Sequence, residues 1–259
     1  MGFCGAALGA AATGLRPVVE IMFVEFLGVA LDMLVTEAAK LRYLSGGAYT
    51  APLVIRASVG AGLGFGTQHS QTLETWMYAC PGLKLATPSG AGSAYGLLRS
   101  AIRDEDPVVI LEPRVLYAER EEVTLGPDGL IPLGVADIRR TGDDVTIVSL
   151  GQTVRVALTA AEGAPWTADV IDLRTLIPWD RERICESVER TGVSSWSRRV
   201  RTPVAGEQRS PPTSVPSASM RCGHRSCGSP VPTCPCLIRR ISSSGTCRRR
   251  MMSGTGSLS

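Results

Sequence analysis

The chain has 259 residues, 44% of them hydrophobic and 20% charged, a length suited to one large or two smaller globular domains. No run of about 18 apolar residues occurs, so no membrane-spanning helix is expected, and neither a P-loop nor a Rossmann glycine fingerprint is present. The net charge of +3 hides an uneven distribution: eleven Arg and one acid from Val193 onward, against sixteen basic and twenty-three acidic residues before it.

Residues 1–14 are small and apolar, without the basic start of a secretory leader. Ala6 stands where a myristoylation motif wants Ser or Thr. Residues 18–22 form a short apolar run that predicts a buried strand. Residues 23–44 predict a helix, because Phe26/Leu27, Ala30/Leu31, Leu34/Val35, Ala38 and Leu41 recur every three to four positions. Gly46-Gly47 ends it. Residues 52–57 predict a second strand.

Gly60, Gly62, Gly64 and Gly66 then alternate in a stretch that cannot build a packed strand or helix. The loop delivers Gln68, His69, Ser70 and Gln71 and runs into Leu73, Trp76 and Met77 at helical spacing. An imidazole on such a loop suits proton transfer or anion contact. A histidine that only caps the following helix is the competing reading.

Further strands are predicted at 83–87 and 107–111, with a helix at 91–103 presenting Tyr95, Leu98 and Ile102 on one face. Residues 113–132 are charged and rich in Gly and Pro, and read as a linker. A second unit follows as strand 145–150, helix 153–162, strand 168–173 and helix 180–190. Strands alternating with helices predict an α/β fold built on a parallel sheet. Periodicity stops at Val193, where Ser, Pro, Arg and Cys take over.

The segments GFCGAALGAAATGLRPVVEIMF, AAKLRYLSGG, GTQHSQTLE, PGLKLATPS, GLLRSAIRDEDPVVILE and VIDLRTLIPWD occur in order. With these, residues 1–192 resemble the beta subunit of the thiamin-diphosphate-dependent first component of 2-oxo acid dehydrogenase complexes, of the pyruvate or acetoin type. The resemblance implies a transketolase-like pyrimidine-binding domain at 1–118, a linker at 119–133 and a partial transketolase C-terminal domain at 134–192. It implies an alpha subunit as partner in a heterotetramer, which holds the cofactor's diphosphate and magnesium, and a lipoyl-bearing acyltransferase core as acceptor. No nucleic acid or membrane partner and a cytoplasmic location are expected.

Residue by residue, the resemblance makes His69 the catalytic histidine and Phe26 the ring packed on the aminopyrimidine. It also implies a potassium site at Leu53, Ala101, Ile102, Asp104 and Asp106, with hard oxygen ligands. On the residues alone, Asp104 reads as a helix-end carboxylate in solvent or paired with Arg103. The family's ring-protonating glutamate would fall just before the Gly2-Phe3 motif, so it is expected upstream of Met1, with Glu20 and Glu25 as the nearest carboxylates. The polypeptide as it stands is therefore expected to be inactive.

Residues 193–259 are expected to be a disordered tail. When the codons are regrouped by one frame, residues 192–197 accommodate R-L-V-V-V, 206–212 G-A-E-I-A-A, 232–237 D-V-P-V-P and 245–253 Y-L-P-T-P-D-D-V, the family's continuation in order. This predicts an out-of-frame C-terminal region. The alternatives are a zinc module on Cys222, His224, Cys227, Cys234 and Cys236, whose spacing fits no standard framework, and a basic arm that lacks stacking aromatics.

Overall fold

The computed structural model describes residues 2–197, 218–221 and 238–239. The zinc candidates and most of the regrouped tail lie outside the described residues. Two sheets form. The first has strand order β1-β2-β4-β3-β8, with β1 at Val18–Ile21, β2 at Val54–Val59, β3 at Lys84–Ala86, β4 at Val108–Pro113 and β8 at Thr175–Ile177. β1, β2, β4 and β3 run parallel, with Val18 opposite Val54 and Val54 opposite Val108.

Every residue of β4 is buried, as expected of a strand covered on both faces. Its period of two divides the core. Val109 and Leu111 join Leu27, Leu34, Ile55 and Met77 on one face, while Val108 and Ile110 join Leu97 and Ala101 on the other. The first face is covered by α1 (Gly2–Ala12) and by a helical run of a short turn at Val24–Phe26, α2 (Leu27–Leu31), a wider turn at Asp32–Ala38 and α3 (Ala39–Leu44). The predicted 23–44 helix is thus present, with one π-type segment inside it.

A Cβ on Gly82, which has φ +98°, would lie 2.0 Å from the Ala39 carbonyl oxygen, so only glycine lets α3 approach there. α4 (Glu74–Tyr78) follows the Gly-rich loop. α5 (Ala91–Arg103) lies on the second face. Its deepest residues are Ser93, Gly96, Leu97 and Ala101, with Leu98 and Ile102 at the margin. The apolar stripe is therefore rotated from the predicted Tyr95 face, and Tyr95 hydrogen-bonds Arg99 instead (3.1 Å).

The 119–133 stretch is irregular but packed. The Gly92 N–H at the start of α5 donates to Glu121 (2.6 Å), Arg99 donates to the Gly126 carbonyl, and Ile131 and Leu133 sit on the α5 core. The second sheet has order β11-β10-β9-β6-β7-β5, with β5 at Asp137–Arg140, β6 at Val145–Ser149, β7 at Ala168–Asp172, β9 at Val193–Ser197, β10 at Ala218–Arg221 and β11 at Ile238–Arg239. α6 (Thr153–Glu162) and α7 (Arg181–Thr191) pack on it, α7 being capped by the Asp180 carboxylate.

Among the described residues periodicity missed six elements: α1, β5, β8 and β9, and, within the stretch expected to be a disordered tail, β10 and β11. β5 pairs antiparallel with β7, and β8 leaves the second unit to pair antiparallel with β3. Both are too short for an alternating pattern to register. β9 pairs parallel with β6, so backbone pairing carries regular structure five residues beyond Gly192. Among the described residues, no helix is long and apolar enough to cross a membrane.

Candidate active site

The site forms where β1, the Gly-rich loop and β4 end side by side. Val24 is fully buried and pins the turn after β1, leaving Phe23, Glu25 and Phe26 on the outer side. The loop needs its glycines at Gly60 and Gly62, where φ is +96° and +115°. It closes through the Gly60 N–H to the Gln71 carbonyl (2.9 Å) and Ser70 Oγ to the Gly66 carbonyl (2.6 Å). This places His69 over the turn. Its ring stacks on Phe23, with centroids 4.4 Å apart and planes 28° apart, and meets Phe26 edge-on at 5.5 Å. Phe65 from the loop meets Phe23 edge-on at 5.7 Å.

Arg114, at the end of β4, is buried and locks this cluster. Its guanidinium donates to the carbonyls of Gly60 (2.8 Å) and His69 and lies 4.6 Å from the Phe23 centroid and 5.0 Å from that of Phe65. His69 does not cap α4, whose N-terminus carries no side-chain cap.

Glu25 holds the loop by accepting from the Gln71 N–H (2.9 Å), and its second oxygen lies 3.9 Å from His69 Nδ1. That oxygen, His69 Nδ1 and Arg114 Nε and Nη1 are buried without hydrogen-bond partners. Unsatisfied buried polar atoms cost about 1–3 kcal/mol each, so the cluster is built for something beyond its own stability. Phe26 is 50% exposed and Phe65 48%, giving two open ring faces beside a poised imidazole. Such an arrangement can stack a flat heteroaromatic ring and hold or pass a proton at the histidine.

Glu20, the other carboxylate weighed from sequence, faces Arg56 (3.6 Å) and takes no part. Phe23, Phe65 and Arg114 were missed. The only sequence signals were the Phe23-x-x-Phe26 spacing and a cation three residues after the apolar run 107–111.

Leu53, Ala101, Ile102, Asp104 and Asp106 converge at a second place, where α5 ends beside β2 and β3. The Leu53 carbonyl accepts from the Val108 N–H (2.9 Å), that of Ala101 from the Asp104 N–H (3.2 Å) and that of Ile102 from Arg16 (3.0 Å). Asp104 takes both oxygens to Lys84 at 2.7 Å, and Asp106 pairs with Arg42 (2.8 Å) and Lys84 (3.3 Å). Arg103 does not pair with Asp104; it donates to the Arg99 carbonyl (2.8 Å). Partial burial works to lower the Lys84 pKa, but Asp104 and Asp106 outweigh it and hold the ammonium above the usual lysine range.

Comparison with known proteins finds matches to two domains in chain order. Residues 1–120 match the model of the transketolase pyrimidine-binding domain, and residues 134–197 that of the transketolase C-terminal domain. The chain is 48% identical over 197 residues to the Acetoin:2,6-dichlorophenolindophenol oxidoreductase subunit beta of Cupriavidus necator, covering 73% of this chain and 57% of that protein. It is 45% identical over 197 residues to the mitochondrial Pyruvate dehydrogenase E1 component subunit beta of Caenorhabditis elegans, covering 74% and 56%. The chain thus spans little more than half the length of these relatives. The solved structure of a split gene transketolase, an inactive beta4 tetramer, superposes with a TM-score of 0.61 at 27% identity, covering 74% of this chain and 60% of that one. With both domain models matched in order and two sheets of the corresponding kind, the chain belongs to the transketolase-like family, as a pyrimidine-binding domain followed by part of the C-terminal domain.

Proposed function

We propose that this chain supplies the beta-type half of a two-subunit thiamin-diphosphate enzyme. That enzyme would decarboxylate a 2-oxo acid of the pyruvate or acetoin type and pass the acyl group to a lipoyl domain. The observation that carries this reading is the poised His69 beside the exposed ring of Phe26. The residues fit an aminopyrimidine: Phe26 offers a ring face, and buried polar atoms stand unpaired next to it. Thiamin diphosphate, when bound, supplies the carbanion chemistry.

Phe26 stacks the flat ring. His69 orients the 2-oxo acid and delivers a proton to its oxygen. Phe23 orients the imidazole by stacking on it, Glu25, 3.9 Å from Nδ1, sets a negative charge beside it, and Arg114 holds the loop by its carbonyls. The alpha subunit would carry the diphosphate and magnesium, and the assembly would be cytoplasmic. The test is His69→Ala in the intact reading frame containing this chain, co-assembled with an alpha subunit. Acyl transfer to lipoate is expected to fall about 10²–10⁴-fold, and unchanged transfer rejects the role.

The oxygens of Leu53, Ala101 and Ile102 each accept one hydrogen bond and keep a second lone pair, so they fit a hard monovalent ion. Asp104 and Asp106, engaged by Lys84 and Arg42, form an outer ring of charge around it. A higher Tm in potassium chloride than in choline chloride of equal ionic strength supports this site, and equal values remove it.

The C-terminal domain match stops at residue 197, and the regrouped codons accommodate the family's continuation; both support an out-of-frame region from about Val193. One inserted or deleted base near the Gly192 codon is the expected finding on resequencing the DNA. An unbroken frame would favour the second reading, a non-catalytic remnant.

A further inference from the structure

We infer that the cavity between the two domains is a binding site for a compact neutral molecule, mainly hydrocarbon with one hydroxyl or carbonyl oxygen. The cavity measures about 280 Å³, near the lower limit of ordinary ligand sites, about 300–1,000 Å³. An apolar cavity of about 150 Å³ holds benzene, so this one takes roughly six to ten non-hydrogen atoms. Its walls come from both domains, with Val59 and Pro113 on one side and Leu150 and Leu173 on the other.

Two lining hydroxyls decide the chemistry. Thr87 is 3% and Ser149 2% exposed, and neither Thr87 Oγ1 nor Ser149 Oγ has a hydrogen-bond partner. One stands at the strand end of each domain with its oxygen just beneath the wall of a largely apolar space, so a small side-chain rotation brings one unmet polar group to that space from each side. A hydroxyl both donates and accepts, so one alcohol or ketone oxygen can pair with both. The Glu74 carboxylate also lines the cavity and disfavours an anionic occupant.

The domains are held close enough to form the space by Gly151. It has φ +55°, and a Cβ there would lie 2.8 Å from Thr87 Cγ2 and 3.0 Å from Pro113 Cγ. Gly60 belongs to the same lining and is also the residue whose carbonyl Arg114 grips beneath His69. An occupant therefore abuts the pivot of the histidine loop, and the site can control that loop without touching His69.

The test uses the full chain with cyclohexanol as probe and hydrogen exchange of backbone amides as readout. Cyclohexanol is expected to protect the peptides covering residues 59–60 and 149–153 together, with residues 60–71 following. Methylcyclohexane, which lacks the oxygen, is expected to protect them less. Thr87→Val keeps the side-chain shape, and Ser149→Ala removes one oxygen. Each should weaken the cyclohexanol effect about fivefold, as expected for the loss of one hydrogen bond. Unchanged exchange in the β7 peptides shows that a variant is folded, and should Ser149→Ala fail this control, Thr87→Val decides alone. Absence of protection in the parent chain overturns the site, as does equal protection by the two probes or an effect unchanged in a folded variant.

Discussion

Two charged clusters in this molecule each contain a carboxylate and an arginine and end in opposite states. In the second domain, Asp169 on β7 is fully buried and accepts bonds from the Gly142 N–H (2.9 Å), Ser187 Oγ and Arg190, while Ser187 and Thr191 bond Thr146 (2.7 and 2.8 Å). Every Asp169 oxygen is used. In the first domain, Glu25, His69 and Arg114 are close together, yet each retains a buried polar atom without a partner. A closed network specifies how a sheet and a helix meet, whereas an open one leaves capacity for a ligand.

Removing a member should therefore separate the two clusters by what is lost. Asp169→Ala leaves the Gly142 N–H unpaired, takes one partner each from Ser187 and Arg190, and should cost on the order of 3 kcal/mol. That is the low end for a broken buried pair, about 3–5 kcal/mol, because Arg190 is 44% exposed to screening solvent. Urea unfolding measures it, and a loss well under 1 kcal/mol would mean that the network is decorative. Arg114→Met keeps the bulk but drops the bonds to Gly60 and His69, and should cost about 1–3 kcal/mol. Amide exchange over residues 60–71 should speed up with it, and unchanged exchange would show that the aromatic rings alone hold the loop. His69→Ala should change stability by less than about 1 kcal/mol while its catalytic effect is large. A larger destabilisation would make the first cluster as structural as the second.

The smallest expected effect is on pH. Burial works to raise the Asp169 carboxyl, but Arg190, Ser187 and the Gly142 N–H outweigh it and hold the group below its ordinary range. Its contribution is complete above the unfolded value, about 3.9, and is lost as pH falls through the lower folded value. Asp172 runs the other way. Burial pushes it up against bonds from Ser89 and the Arg174 N–H, so its contribution is present in acid and lost as pH rises through the folded value. Acid unfolding below about pH 4 should thus be less steep in Asp169→Asn than in the parent chain. Identical profiles would place the Asp169 shift elsewhere.

What the sequence determined by itself follows from local regularity. The predicted elements at 91–103 and 153–162 match α5 and α6, and the strands at 107–111, 145–150 and 168–173 match β4, β6 and β7 within two residues at either end, because a long period or an all-apolar run leaves a pattern in one dimension. The Gly-rich loop and its histidine were legible for the same reason. Other features depended on pairs of residues far apart in the chain. β8 is three residues long and exists only because β3 offers it an edge. Arg114 is 45 residues from His69, and its backing of the loop depends on β2 and β4 being neighbours. Glu25 and Glu20 look alike in sequence, yet one lies against His69 and the other against Arg56. A strand exposes alternate faces while the turn after it does not, so only the end point of β1 decided which carboxylate entered the site.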